Sequence, residues 1–358
     1  MRVIGVMSGT SMDGIDVALI ETDGDSLIKC QAFSVGDYEP ELRKMLLDRL
    51  ANPSLASSPP PEDLVVAVTD AHILAAEHMM KQNRISPEEI NLIGFHGQTI
   101  FHAPERRITI QIFDGQRAAH RLNIPVASDF RTADVLAGGQ GAPLAPLYHR
   151  AKLGDVKEPT AVLNIGGVSN ITYCDAGNVI AFDTGPGSAL IDDFMRKRRG
   201  LAFDRDGLLA RSGIVDEVLL QKWLSHSYFK SAPPKSLDRN HFHDISSDLA
   251  SLSDSDGAAT LLDFTVKSIV RACDHLPHKP YRWFICGGGR HNHLLMERLQ
   301  NELRVPVAPV EDLGWNGDML EAECFAWLAV RILNGSVLSL PTTTGVPRPM
   351  TGGRIDYP

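Results

Sequence analysis

Three glycine-rich turns in this chain each follow an apolar, strand-like run. Each could bring backbone N–H groups close to a phosphate. The first is Ser8-Gly9-Thr10-Ser11-Met12-Asp13-Gly14, after Val3–Met7. Its hydroxyls add uncharged donors, and its Asp-Gly end turns the chain back into a second apolar run, Ile15-Asp16-Val17-Ala18-Leu19-Ile20. The second is Asp183-Thr184-Gly185-Pro186-Gly187, which sets a carboxylate at a strand end just before a helix. Ligands bind at that position in open α/β sheets. The third is Gly287-Gly288-Gly289, after the strand Trp283–Cys286. Glycines there suit close packing against a base or ribose. Such turns also join strands where no ligand binds, so one alone says little. Their recurrence in two similarly built halves is what points to a nucleotide.

Two further side chains have chemistry to offer. Asp183 is ionised at neutral pH if its pKa stays near ~3.9, and it can then take a proton. The competing reading makes it the cap of the helix that starts near Gly187. Arg131 stands in "DFR", and its guanidinium could hold a carboxylate or a phosphate oxygen through paired hydrogen bonds. Its competing reading is a hinge salt bridge to Asp129 or Asp134. Ser8 and Ser11 do not lie in a G-x-S-x-G elbow, which argues against a serine hydrolase.

The elements that must carry these residues read as α/β throughout. Val3–Met7, Val17–Glu21 and Leu27–Val35 are three consecutive strands with short turns. A helix follows over Glu39–Leu50. After the Ser/Pro loop 54–61 comes a long helix with Leu64, Val68, Ala71, Leu74 and Ala75 at helical spacing. Asn91–Phe95, Thr109–Phe113 and Val126–Ser128 are strands, and Gly115–Leu122 is a short helix. "AVLNIGGVSNITYC" then repeats the opening plan of strand, small-residue turn and strand. Helices over Thr260–Asp274, Asn292–Leu303 and Met319–Leu333 complete the clear elements, and Pro341–Pro358 reads as turn. The pattern predicts two duplicated α/β domains, residues 1–131 and 132–358, facing each other across a cleft. The Gly/Pro-rich "RTADVLAGGQGAPLAP" is the expected crossing, with residues 131–140 in the hinge and the last residues able to pack back on the first domain.

Bulk composition narrows the function. A chain of 358 residues is long for one core, which favours two domains. The formal charge is -9, and Arg196-Lys197-Arg198-Arg199 is the one basic cluster, so no nucleic-acid footprint is present. The five cysteines are scattered and form no C-x-x-C pair, as expected of buried thiols in a reducing compartment. No apolar run approaches the ~20 residues a membrane span needs. The expected location is the cytoplasm.

Neither a Walker G-x-x-x-x-G-K-[ST] nor a G-x-G-x-x-G fingerprint occurs. What remains is a phosphotransferase that holds nucleotide between duplicated halves. The chain resembles the anhydro-N-acetylmuramic acid kinases of the sugar kinase/Hsp70/actin superfamily. The resemblance rests on "GVMSGTSMDGIDVAL", "GFHGQTIFH", "DFRTADVLAGGQGAPLAP", "LNIGGVSNIT", "FDTGPGSALID", "FDRDG", "CGGG" and "EAECFAWLA", in that order along nearly the whole chain.

The resemblance implies ATP as phosphoryl donor and 1,6-anhydro-N-acetylmuramic acid with water as acceptor. The products would be N-acetylmuramic acid 6-phosphate and ADP, a step of cell-wall recycling. It implies Gly9, Thr10, Ser11, Met12, Asp13, Gly14, Ile15 and Asp16 at the phosphates, with Asp13 and Asp16 as candidate Mg²⁺ ligands. Gly185, Gly187, Gly287, Gly288, Gly289 and Asn292 complete the nucleotide set. Asp183 is implied as catalytic base, and Thr99, Arg131 and Glu321 as sugar contacts. A homodimer is also implied. His96 reads as a structural histidine.

Two features depart from the family pattern. Arg290-His291-Asn292-His293 is bulkier after "CGGG" than expected, which bears on the purine pocket. His241-Phe242-His243-Asp244 and His291-Asn292-His293 pair histidines without a third spaced ligand, which argues against a transition-metal site. A nucleotide-dependent switch on the same fold is the rival from another class. It would need no Asp183–Glu321 pair and no "HGQT" loop.

Overall fold

The computed structural model describes residues 1–358 apart from Ser11, Asp13 and Asn240. The strands in chain order are β1 (Arg2–Ser8), β2 (Ile15–Thr22), β3 (Ile28–Gly36), β4 (Leu92–Ala103), β5 (Ile108–Ile112), β6 (Val126–Ser128), β7 (Thr160–Ile165), β8 (Val168–Asp175), β9 (Asn178–Pro186), β10 (Arg282–Cys286), β11 (Val307–Pro309) and β12 (Arg354–Asp356). They form two sheets, and the chain divides into two compact units. One comprises Met1–Gly154 with Met319–Pro358, and the other Asp155–Asp318.

The two sheets share one plan. The first runs β12-β6-β4-β1-β2-β3, with β5 paired to β4, and the second runs β11-β10-β7-β8-β9. In the first, β1, β2 and β3 form an antiparallel meander, β4 lies parallel to β1, and β6 parallel to β4. In the second, β7, β8 and β9 form the meander, β10 lies parallel to β7, and β11 parallel to β10. Strands β5 and β12 are additions to the first copy. The repeated strand–turn–strand texture of the sequence is therefore a repeat of topology.

In the first unit, β1 is buried on both faces, which suits its nearly unbroken apolar run. Ile4 and Val6 join Val17, Leu19, Leu64, Val68, Ile73, Ala76 and Met79 in one core, with the last five from the helix Glu62–Gln82. The opposite face takes the helix Leu320–Leu333 at very close range. A Cβ on Gly5 would stand 1.9 Å from the Ala322 carbonyl oxygen, and one on Gly94 would stand 2.4 Å from that of Phe325. Helix backbone lies directly on strand backbone there, and only glycine permits it. In the second unit Leu163, Ile165, Phe182, Trp223, Phe264, Trp283 and Ile285 form the core under the helix Asp254–Ala272.

The division of the chain corrects the expected boundary at residue 131. It falls after Gly154 and again after Asp318, so the segment 131–146 is no crossing. Its backbone is tied into the first unit. Asp134 accepts from Gly141 N–H at 2.6 Å and from the hydroxyls of Ser339 and Thr344. Arg131 donates to the Gly141 carbonyl at 2.6 Å, and the His102 ring meets the Gln140 carbonyl at 2.8 Å. Glycine and proline here serve a tightly bonded loop rather than a linker. Residues Met319–Pro358 belong to the first compact unit, and the stretch read as turn includes the short strand β12. Among the described residues no helix is long and apolar enough to cross a membrane.

Candidate functional site

The hairpin between β1 and β2 carries the residues expected at the phosphates. Of these, Ser11 and Asp13 lie outside the described residues. Met12 closes a turn with its N–H on the Gly9 carbonyl at 3.2 Å, and it adopts a left-handed backbone with φ of 53°. Its side chain is buried, and Arg43 Nε donates to its carbonyl at 2.7 Å. Asp16 stands opposite Met7 at the foot of the hairpin and is partly exposed.

Both ends of the hairpin hang on one buried amide. Gln98, fully buried on β4, donates through Nε2 to the carbonyls of Gly9 (3.2 Å) and Thr99 (3.1 Å). Its Oε1 accepts from Ser8 at 2.8 Å and from Tyr38 at 2.9 Å. Ser8 Oγ also lies 3.2 Å from the Gly14 carbonyl. A carboxamide has two acceptor and two donor positions, and all four are filled. Gln98 sits inside the quoted "HGQT", yet sequence reasoning gave it no role. Nothing in one sequence marks which residue of a polar run points inward.

The residues expected at the sugar are placed by β4, by the turn after β6 and by the first turn of the helix Leu320–Leu333. Thr99 Oγ accepts from Gln111 Nε2 at 3.2 Å, which leaves its own hydroxyl proton to donate. Arg131 Nε donates to His96 Nε2 at 2.9 Å. That bond makes Nε2 the acceptor and places the neutral ring's proton on Nδ1. Burial, followed by the Arg131 charge, holds the His96 pKa well below its usual value, so the ring stays neutral. Among the described residues Arg131 makes no ion pair with Asp129 or Asp134, so the hinge salt bridge is not formed. Among the described residues its Nη2 takes no hydrogen bond. The guanidinium rides over Phe325 at 5.9 Å from the ring centre. Glu321, one helical turn before Phe325, is exposed. The protein crowded around it pushes its pKa up and Arg131 pulls it down, but its access to water limits the upward push.

Asp183 belongs to the second unit. Ser169 pairs with Gly185 and Asn170 with Asp183, so Thr184 is the extra residue of a β-bulge. Bulges re-aim side chains at strand ends. The carboxylate does not cap a helix. Its Oδ2 accepts from Leu237 N–H at 2.7 Å, while the next helix, Ala189–Arg199, begins at Ser188. Among the described residues Oδ1 takes no hydrogen bond. Asp183 is 8% exposed, and burial raises its pKa to about 7, opposed by the Leu237 bond.

The remaining glycines divide by what surrounds them. Gly187, Ser188 and Ala189 spend their N–H groups on the carbonyls of Gly167 and Gly166. A Cβ on Gly187 would meet the Gly166 oxygen at 2.1 Å, and one on Gly185 would meet Ser268 Oγ at 2.6 Å. A Cβ on Gly287 would strike Asn164 Oδ1 at 2.2 Å, and one on Gly289 would strike the Ile165 side chain at 2.4 Å. Gly288 alone of that trio faces open space. Asn292 caps the helix His293–Leu303, its Oδ1 accepting from Leu295 N–H at 3.0 Å. Arg290 folds away into the protein. Its Nε reaches Glu311 at 2.9 Å, its Nη1 the Gly287 carbonyl at 3.0 Å and its Nη2 Asp318 at 2.9 Å. The bulk after "CGGG" therefore braces the glycine turn. His291 and His293 are exposed, and among the described residues no group of three metal-ligating side chains occurs.

Two copies of one meander-plus-parallel sheet, each with a glycine-rich hairpin between its first two strands, define the duplicated α/β class of the sugar kinase/Hsp70/actin superfamily. Within that class, the chain belongs to the anhydro-N-acetylmuramic acid kinase family, whose model matches residues 1–358. Relatives named anhydro-N-acetylmuramic acid kinase include that of Rhodospirillum rubrum, 49% identical over 98% of this chain and 92% of its own length. The relative from Rhizorhabdus wittichii is 46% identical over 100% of this chain and 99% of its own. The one from Zymomonas mobilis is 45% identical over the whole of both chains.

Proposed function

We propose that the chain is an ATP-dependent kinase that opens 1,6-anhydro-N-acetylmuramic acid with water and phosphorylates the freed O6. The observation that carries this reading is Asp183. It is a buried carboxylate with one oxygen fixed by a backbone N–H, the other oxygen unbonded among the described residues, and a pKa near neutrality. A general base works best when its pKa lies near the operating pH.

In the proposed reaction Asp183 takes a proton from water as the water oxygen bonds to the anomeric carbon. The bond from that carbon to O6 breaks, and O6 leaves with its electron pair. O6 then bonds to the γ-phosphorus of ATP, and ADP departs. Thr99 donates to the sugar, Glu321 accepts from a sugar hydroxyl, and Arg131 holds the lactyl carboxylate through Nη2. Gly9 to Asp16 hold the phosphates, and Gly287 to Gly289 approach the nucleoside.

Kinases of this kind use Mg²⁺ with ATP. Mg²⁺ usually binds one or two carboxylates together with phosphates and waters, so the lack of a three-ligand cluster among the described residues is compatible with it. Asp16, partly exposed at the foot of the hairpin, fits as one such carboxylate, with Asp13 beside it in sequence. The ion would neutralise phosphate charge.

Turnover in ¹⁸O-water tests the reading. The product should carry one ¹⁸O at the anomeric carbon and none in the transferred phosphoryl group. Label in inorganic phosphate instead, without sugar phosphate, would mean an ATPase and overturn the proposal.

A further inference from the structure

A buried lysine near the proposed base has no part in the reaction described above. Lys235 is 9% exposed and follows Pro233-Pro234 in a stretch of irregular chain. Its ammonium donates to the Tyr228 carbonyl at 2.9 Å and lies 4.6 Å from the centre of the Tyr228 ring. His275 Nε2 is 3.4 Å away, but that nitrogen meets the Phe229 carbonyl at the shorter distance of 3.0 Å. The Tyr228 carbonyl is thus the main anchor.

The same short stretch of chain wraps Asp183 on three sides. Tyr228 donates its hydroxyl to the Asp183 carbonyl at 2.5 Å. The Lys235 carbonyl accepts the Asp183 N–H at 3.0 Å, and Leu237 N–H holds Oδ2 at 2.7 Å. The ammonium bonds residue 235 back to residue 228, so it closes residues 228–235 into a loop, and Leu237 just beyond it holds the carboxylate.

We propose that Lys235 is a positioning residue for Asp183, its ammonium pinning the strap 228–237 that aims the carboxylate and shields it from water. An unpaired buried lysine is costly, and burial lowers this one to about 8. A chain that needed only a loop closure could use an uncharged side chain. The lysine instead puts three donors at one carbonyl and an aromatic face, a cation contact that strengthens on desolvation. The titratable groups in and around the strap are His226, Tyr228, Lys230, Lys235, Asp238, His241 and His275, and among the described residues no ion pair reaches Asp183. The state of Asp183 therefore depends on how well the strap excludes water.

The inference rests on Asp183 being the base, and the test separates the two. Lys235→Met should lower kcat by up to about 10²-fold, the scale of a misplaced reacting group, with little change in KM for ATP or the anhydro sugar. With water admitted, the acid limb of the kcat–pH profile should move to lower pH. Tyr228→Phe removes the hydroxyl bond and keeps the ring, so it should move the limb the same way by less. It also serves if Lys235→Met does not fold. Lys235→Arg keeps a cation and should recover part of kcat. A purely structural lysine would lower the melting temperature and leave the limb in place. An unmoved limb in a folded variant, with wild-type kcat, overturns the proposal. If Asp183→Asn is inactive while Lys235→Met is normal, the strap inference alone falls. If Asp183→Asn turns over normally, the base reading falls and takes the inference with it.

Discussion

Gln98 Nε2 donates to the Gly9 carbonyl at 3.2 Å, and through that bond the central strand β4 holds the first residue of the β1–β2 hairpin. The same amide nitrogen holds the Thr99 carbonyl, so one side chain spans the proposed phosphate and sugar residues. Gln98→Leu keeps the approximate size and removes every bond. A stranded buried polar partner costs about 1–3 kcal/mol, and several would be stranded here. Chemical unfolding should show a loss of roughly 2–4 kcal/mol. ATP and sugar affinity should weaken together. A loss of stability with both affinities intact would show that the amide only supports the fold.

Gly5 and Gly288 make a paired test of what each glycine is for. Gly5→Ala forces a carbon to within 1.9 Å of the Ala322 oxygen, so the helix Leu320–Leu333 must move off the sheet. The cost should reach or exceed the about 1–3 kcal/mol typical of overpacking, seen as a large fall in the unfolding midpoint. Gly288→Ala meets nothing within 4 Å, so stability should change by no more than about 0.5 kcal/mol. If Gly288 approaches the nucleoside, that stable variant should still bind ATP more weakly. Unchanged ATP affinity in calorimetry would remove Gly288 from the nucleotide set.

How much of this was legible beforehand depended on the kind of signal. The meander strands could be read because β-branched runs end at Gly and Asp turns, as at Asp23-Gly24-Asp25. The helices read over Asn292–Leu303 and Met319–Leu333 are found at His293–Leu303 and Leu320–Leu333. The unit boundary could not. "RTADVLAGGQGAPLAP" has a linker's composition, and only the bonds of Asp134 to Gly141, Ser339 and Thr344 make it part of a domain. Two of those partners lie some two hundred residues on, beyond the reach of any local pattern. Asp183 was visible as a strand-end carboxylate. Its strap was not, because Lys235 and Leu237 meet it through their backbone atoms, which carry no residue-type signature, and the Tyr228 hydroxyl comes from 45 residues on.

The buried pair Lys152–Glu323 offers a stability test away from the proposed chemistry. Lys152 Nζ lies 2.8 Å from Glu323 Oε2, with side chains 7% and 2% exposed. Tyr148 also donates to that oxygen at 2.6 Å, and Cys30 Sγ lies 3.0 Å from Oε1. The pair joins the helix Pro146–Leu153 to the helix that carries Glu321. Lys152→Met leaves a buried carboxylate without its cation and should cost about 3–5 kcal/mol in unfolding experiments. The double variant Lys152→Met, Glu323→Met should recover much of that loss, since replacing both charges with apolar groups is often near neutral. A double variant no better than the single would show that Tyr148 and Cys30 depend on the carboxylate too.

Asp183 makes opposite demands on activity and on stability, and pH separates them. Its folded pKa, about 7, is raised above the ordinary 3.8 because burial penalises the charge. The folded state therefore holds this proton more tightly than the unfolded chain does. Stability from this group is fully present below pH 4 and is lost as pH rises towards 7. At about 1.4 kcal/mol per unit, the loss is at most about 4 kcal/mol by pH 8. Activity runs the other way, because only the carboxylate can accept a proton, so kcat should rise through an acid limb near pH 7. Asp183→Asn keeps an oxygen for Leu237 N–H and never ionises. Its turnover should fall by ~10²–10⁴-fold at every pH. Its unfolding midpoint should match wild type below pH 4 and exceed it at pH 8. A buried carboxylate with no part in the reaction would show the same gain in stability at high pH but near-normal turnover. Turnover and thermal unfolding of both proteins at the two pH values decide the matter. An Asn variant within a few-fold of wild-type kcat would leave Asp16 and Glu321 as the next carboxylates to test.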